Sequence, residues 1–87
     1  MAEFLVELYV ARSDAGAVEC LAARARVAAA ELRRRGTAVR YVRSISIPED
    51  ETCFLVYEAT TAESVRAAVR RASLPADRIL ESATTPA

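Results

Sequence analysis

The stretch Thr52-Cys53-Phe54-Leu55-Val56-Tyr57-Glu58 is apolar in its middle on both alternating faces, and Ala59-Thr60-Thr61-Ala62-Glu63 follows at once. A short apolar run that passes straight into cap chemistry reads as a buried strand feeding a helix. Such a strand cannot stand alone. It needs partners along its edges and a layer over at least one face, and the rest of the chain must supply them.

Residues 3–10 alternate with period two: Phe4, Val6, Leu8 and Val10 on one side, Glu3, Leu5, Glu7 and Tyr9 on the other. That spacing predicts a first strand. Ser13 or Asp14 is placed to cap a helix. Val18, Leu21, Ala25, Ala28 and Leu32 then recur at steps of three and four, a helical stripe, and six alanines between 22 and 30 allow close approach to a sheet. Arg33-Arg34-Arg35 suits the negative end of that helix, and Gly36 suits its left-handed end.

A second strand is predicted over about Val39 to Ile47, with Tyr41, Arg43 and Ile45 on one side and Arg40, Val42 and Ser44 on the other. Pro48-Glu49-Asp50-Glu51 makes a solvated hairpin tip. After the third strand, Thr60-x-x-Glu63 fits a capping box, and Val65, Ala68, Val69 and Ala72 form a shorter stripe that Pro75 stops. Arg78-Ile79-Leu80-Glu81 is a last short strand. Residues 1–82 read as one domain and 83–87 as a frayed tail.

Strand, helix, strand, strand, helix, strand is the order of the ferredoxin-like βαββαβ plan, an α+β fold. Right-handed crossovers place the first and third strands in the middle of a four-stranded antiparallel sheet, with both helices on one face. The other face is left bare.

Composition now narrows what that bare face does. In 87 residues, 53% are hydrophobic and twelve arginines balance twelve acidic residues. No net field draws the chain to nucleic acid or to an anionic membrane. The chain has no histidine, so it lacks the usual general base at neutral pH and the commonest metal ligand. Its two cysteines, Cys20 and Cys53, are too few for a disulfide scaffold and read as reduced, packed thiols. The first strand is interrupted by Glu3 and Glu7 and is too short to span a bilayer. Those features point to the cytoplasm. Arg33-Arg34-Arg35 has no neighbouring aromatics and reads as a helix-end cluster. The third strand lacks the aromatic signature of an RNA-recognition domain, and Ala11-Arg12-Ser13-Asp14 holds neither the CxxC of a metal chaperone nor a glycine-rich phosphate cradle.

With Phe4, Val6 and Leu8 towards the helices, a choice of phase remains for the third strand. A phenol hydroxyl wants water or a partner, and a benzyl ring does not. That argument puts Phe54 and Val56 inside and Cys53, Leu55 and Tyr57 on the open face. It predicts an open patch of Leu5, Tyr9, Tyr41, Ile45, Leu55 and Tyr57, too apolar to stay wet on a small monomer and therefore covered by the same face of a second subunit, a dimeric α+β barrel arrangement. Leu5, Glu7, Tyr9, Tyr41, Arg43, Leu55 and Tyr57 are the candidate ligand-binding residues. Glu7 and Arg43 read either as an ion pair setting dimer register or, with Tyr41, as a general acid or base and its partners in a dry cleft.

Three segments also carry a resemblance: Val39-Arg40-Tyr41-Val42-Arg43-Ser44, Glu51-Thr52-Cys53-Phe54-Leu55-Val56-Tyr57-Glu58-Ala59, and Leu74-Pro75-Ala76-Asp77-Arg78-Ile79. An aromatic and a Ser on the second strand, a Cys and Tyr-Glu-Ala on the third, and a Leu-Pro-x-Asp-Arg-Ile close resemble a family of small bacterial ferredoxin-like domains of unknown function to which nickel binding is attributed. The likeness covers nearly the whole chain. It implies a ferredoxin-like homodimer and nickel binding, with Cys53 as the matching position that would face the metal. The residues themselves read first as a homodimeric module holding a metal ion or small organic ligand at the open face, and in the alternative as a small cofactor-independent enzyme using Glu7, Arg43 and the tyrosines in a pocket between subunits.

Overall fold

The computed structural model describes residues 1–14 and 16–83. The chain forms β1 (Ala2–Tyr9), α1 (Ala17–Arg34), β2 (Val39–Ile47), a 3-10 turn (Pro48–Asp50), β3 (Thr52–Ala59), α2 (Ala62–Arg71) and β4 (Ala76–Glu81). The sheet is antiparallel in the order β2-β3-β1-β4, the ferredoxin-like plan. Both helices join one core with a single face of this sheet. Ser82 is still tied to the sheet through its amide and the Glu3 carbonyl, 2.9 Å apart, and residues 84–87 of the expected tail lie outside the described residues.

The stripe read for α1 is the face that packs: Leu21, Ala25 and Ala28 are buried, with Val18 and Leu32 at its ends. The methyl side chains at 25, 28 and 29 let the helix lie close to the strands. Its start differs from the sequence expectation. Neither Ser13 nor Asp14 caps it; Gly16 stands at the N-cap without a side-chain bond. The preceding loop makes a turn from the Ala11 carbonyl to the Asp14 amide and is held by the hairpin instead: the Glu51 carboxylate accepts the Arg12 amide at 2.9 Å. Glu51 is therefore a fastening point rather than a solvated tip residue, while Glu49 and Asp50 are exposed. The end of α1 is as read. Gly36, at φ +96°, turns the chain so that its amide meets the Arg33 carbonyl and the Thr37 amide meets that of Leu32.

Helix α2 is capped one residue later than expected. Thr61, not Thr60, accepts the Ser64 amide at 3.2 Å. Thr60 still belongs to the sheet end, its amide bonded to the Ala38 carbonyl, and Glu63 pairs outward with Arg66. At the far end Ser73 takes the left-handed position at φ +54°, and Leu74 closes back on Val69 in the core. Arg24 of α1 donates to the Ala72 and Ser73 carbonyls, so the first helix caps the second.

The sidedness of β3 is opposite to the sequence expectation. Cross-strand partners in an antiparallel pair lie on the same face. Phe4 is paired with Tyr57, Val6 with Leu55 and Leu8 with Cys53. Since Phe4, Val6 and Leu8 face the helices, so do Tyr57, Leu55 and Cys53, all three 0% exposed. Phe54 and Val56 face the other way, beside Glu7 and Leu5. Strand β2 changes phase within itself. Tyr41 pairs with Tyr57 but Arg43 pairs with Val56, leaving Val42 as the extra residue of a bulge. Tyr41 therefore joins the helix side, while Arg43, Ile45 and Ile47 share the open face.

Candidate functional site

The open face is built from alternate residues of all four strands. Leu5 lies between Val56 of β3 and Leu80 of β4, and Phe54 lies between Glu7 of β1 and Ile45 of β2. These side chains form an apolar centre with no helix over it. Val56 is 0% exposed although it stands outside the main core, because its neighbours on the bare face close over it.

Charge surrounds that centre. Glu7 accepts from Arg78 Nε at 2.6 Å, across the β1–β4 pairing that sets the two residues opposite each other. Arg40 bonds Glu58 across the β2–β3 pairing, and this bond and the nearby positive charge hold the Glu58 carboxyl below the usual carboxylate range. Arg43 has no carboxylate within ion-pair distance among the described residues. Tyr9, 61% exposed, stands at the end of β1 with its hydroxyl 3.5 Å from Glu51 Oε2.

Of the ligand-binding residues predicted, Leu5, Glu7, Tyr9 and Arg43 are on this face. Tyr41, Leu55 and Tyr57 are not; they lie on the helix side, Tyr41 half-buried and the other two fully buried. The Glu7, Arg43 and Tyr41 grouping is not assembled in one chain. Glu7 is engaged with Arg78, β3 stands between it and Arg43, and Tyr41 is on the opposite side of the sheet. Sequence reasoning missed Phe54, Val56, Ile47, Leu80 and Arg78. A signal for the first two was present: Thr52 and Glu58 share their phase, whereas Cys53, Leu55, Tyr57 and Ala59 form an unbroken apolar set.

Cys53 is buried among core side chains, and desolvation pushes its thiol up from the ordinary range. Such a thiol resists becoming the thiolate that ligates a metal. Cys20 is free and exposed on α1 rather than packed and inert. Cys53 is on the helix side of the sheet, not on the open face as expected. Among the described residues no three Cys, Asp or Glu side chains come together as a metal site. Nickel favours imidazole nitrogen, and the chain has none. The donors of a single chain do not fit a nickel centre.

Fold and open face together define a small ferredoxin-like α+β domain with one side of its sheet available for contact. The sequence matches the family described as nickel responsive protein SCO4226-like over residues 6–81, and the chain belongs to that family. Neither the search of curated proteins nor that of solved structures gives a match. No helix is long and apolar enough to cross a membrane among the described residues.

Proposed function

We propose that the chain works as a homodimeric cytoplasmic binding module, two copies meeting through their open sheet faces and holding a small organic ligand between them. The observation that carries this reading is the apolar centre of the helix-free face, Leu5, Phe54 and Leu80 half-buried over a buried Val56, rimmed by the Glu7–Arg78 and Arg40–Glu58 pairs. A two-fold interface uses the same patch on both subunits, and an apolar centre with charges of both signs around it is self-complementary under such a rotation. A second copy also remedies a thin core, since a chain of this size buries only about 60–65% of the surface its unfolded form exposes. Leu5, Glu7, Tyr9 and Arg43 are the residues placed to meet a ligand between the sheets. The family's description ties it to nickel. The donor set of this chain does not support a metal held by one copy.

Sedimentation equilibrium tests the reading. The wild-type chain is expected to be a dimer at micromolar concentration, and Phe54→Glu a folded monomer by circular dichroism. A wild-type monomer, or a Phe54→Glu dimer, rules the interface out. In the same preparation Ni2+ is expected to leave Tm unchanged. A rise in Tm that Cys53→Ser abolishes would return the metal, and Cys53, to the site.

A further inference from the structure

A hollow lies on the helix side of the sheet, at its β2 edge. After the bulge at Val42, the helix-side positions of β2 are Ser44 and Ser46, opposite Leu55 and Cys53. Strand β3 places fully buried apolar residues at those levels, while β2 places hydroxyls there and turns Ile45 and Ile47 outward. A strand that served only to close the core would be patterned the other way. As a result α1 and β2 do not seal. A cleft of about 520 Å³ remains between Val18, Ala22 and Arg26 of the helix and Tyr41, Arg43 and Ser44 of the strand. Its volume falls within the range of small-molecule sites, about 300–1,000 Å³. A smaller hollow of about 270 Å³ shares Val18 with it and reaches Ser46.

The cleft is electropositive. Arg26 lies 5.6 Å from the Tyr41 ring centroid, held in place by the ring face. Arg26 and Arg43 have no carboxylate within ion-pair distance among the described residues, whereas Arg40, Arg66, Arg70, Arg71 and Arg78 do. Glu19 is the one carboxylate on the rim. Arg43, beside the bulge on the outermost strand, borders both the cleft and the open face. Behind the Tyr41 wall the Tyr57 hydroxyl is buried without a partner among the described residues.

The geometry points to a binding site for a small organic oxyanion, a carboxylate or a phosphate monoester with an apolar body. Arg26 and Arg43 take the oxyanion, the Tyr41 and Ser44 hydroxyls add hydrogen bonds, and Val18, Ala22 and Val42 line the apolar body. Guanidinium forks match the planar or tetrahedral oxygens of such groups, and charge-assisted bonds are the stronger kind. The site shares Arg43 with the open face, but Arg26, Tyr41 and Ser44 lie on the helix side, so binding there does not require the dimer.

The test is a 15N-resolved NMR titration with phenyl phosphate and with benzoate, using benzamide as the uncharged control. Saturable shifts are expected at Val42 to Ser46 and at the Arg26 side-chain nitrogen, with one or both anions and not with benzamide. Arg26→Gln, exposed and outside the core, is expected to weaken binding about tenfold or more, the loss of a charge-assisted bond of about 1.5–3 kcal/mol. Arg33→Gln at the far end of α1 is expected to change nothing. Absence of saturable shifts, equal affinity in Arg26→Gln, or a response centred on Arg33 to Arg35 overturns the proposal. A wild-type monomer that still binds leaves this site standing while the dimer reading falls.

Discussion

Tyr57 of β3 meets Tyr41 of β2 edge-on, with ring centroids 5.8 Å apart and planes at 77°, and its hydroxyl is buried with no hydrogen-bond partner among the described residues. The edge-to-face contact is favourable, but an orphaned hydroxyl in a dry core costs about 1–3 kcal/mol. Tyr57→Phe is therefore expected to raise the unfolding free energy by about 1 kcal/mol in urea titration. A loss of stability instead would show that the hydroxyl finds a partner. Burial, with a smaller contribution from Tyr41, pushes the Tyr57 phenol above its ordinary range. A group whose folded pKa is raised contributes stability below its unfolded value and loses it as pH climbs. Above about pH 10, where an unfolded tyrosine ionises, the wild type is expected to lose stability faster than Tyr57→Phe.

The two thiols differ in access. Cys20 is exposed, and Cys53 is buried with its thiol pushed up by desolvation. Iodoacetamide at neutral pH is expected to label Cys20 promptly and Cys53 only at the rate at which the chain opens. Mass spectrometry of the time course checks this. Equal labelling of both cysteines in the native protein would mean that the helix layer does not seal β3.

Both helices end through a left-handed residue, but only one of these is a glycine. Gly36 has φ +96° and Ser73 has φ +54°. An L-residue with a side chain pays about 1–2 kcal/mol in that region, partly offset by the greater unfolded freedom of glycine. Ser73→Gly is expected to raise Tm, and Gly36→Ala to lower the unfolding free energy by about 1 kcal/mol. Scanning calorimetry of the two variants should give shifts of opposite sign.

Three carboxyls are held below the usual range by a hydrogen-bonded arginine: Glu31 by Arg71, Glu58 by Arg40 and Glu63 by Arg66. A depressed folded pKa gives stability above the unfolded value, and that stability is lost as pH falls through the folded one. Stability is expected to be flat near neutrality and to fall below about pH 4.5, the more gently because these pairs are exposed. Glu58→Gln should flatten part of this acid limb in pH-resolved denaturation. An unchanged slope would show that the Arg40 pair contributes nothing measurable.

The order of elements was legible because it rests on local periodicity. The α1 stripe from Val18 to Leu32, the left-handed exit at Gly36 and the first-strand alternation are each written within a few neighbouring residues. Cap positions slipped by one to three residues because the competing bonds come from elsewhere in the chain: the Ala38 carbonyl holds Thr60 in the sheet, and the Glu51 carboxylate holds the loop before α1. The sidedness of the candidate residues was half legible. Leu5, Glu7, Tyr9 and Arg43 were placed correctly on the open face. Tyr41, Leu55 and Tyr57 were misplaced by an argument about hydroxyl solvation that the fold overrides.

Local pattern alone settled that this chain is a βαββαβ domain with one bare sheet face, because apolar spacing decides whether a segment is helix or strand and which side of a helix is buried. Tertiary structure alone decided which side of β3 faces inward and where β2 changes phase. Both faces of β3 are apolar in the middle, and only its polar ends, Thr52 and Glu58, mark the outward phase. The choice falls to register, in which Phe4 is paired with Tyr57 and the Val42 bulge shifts everything after it.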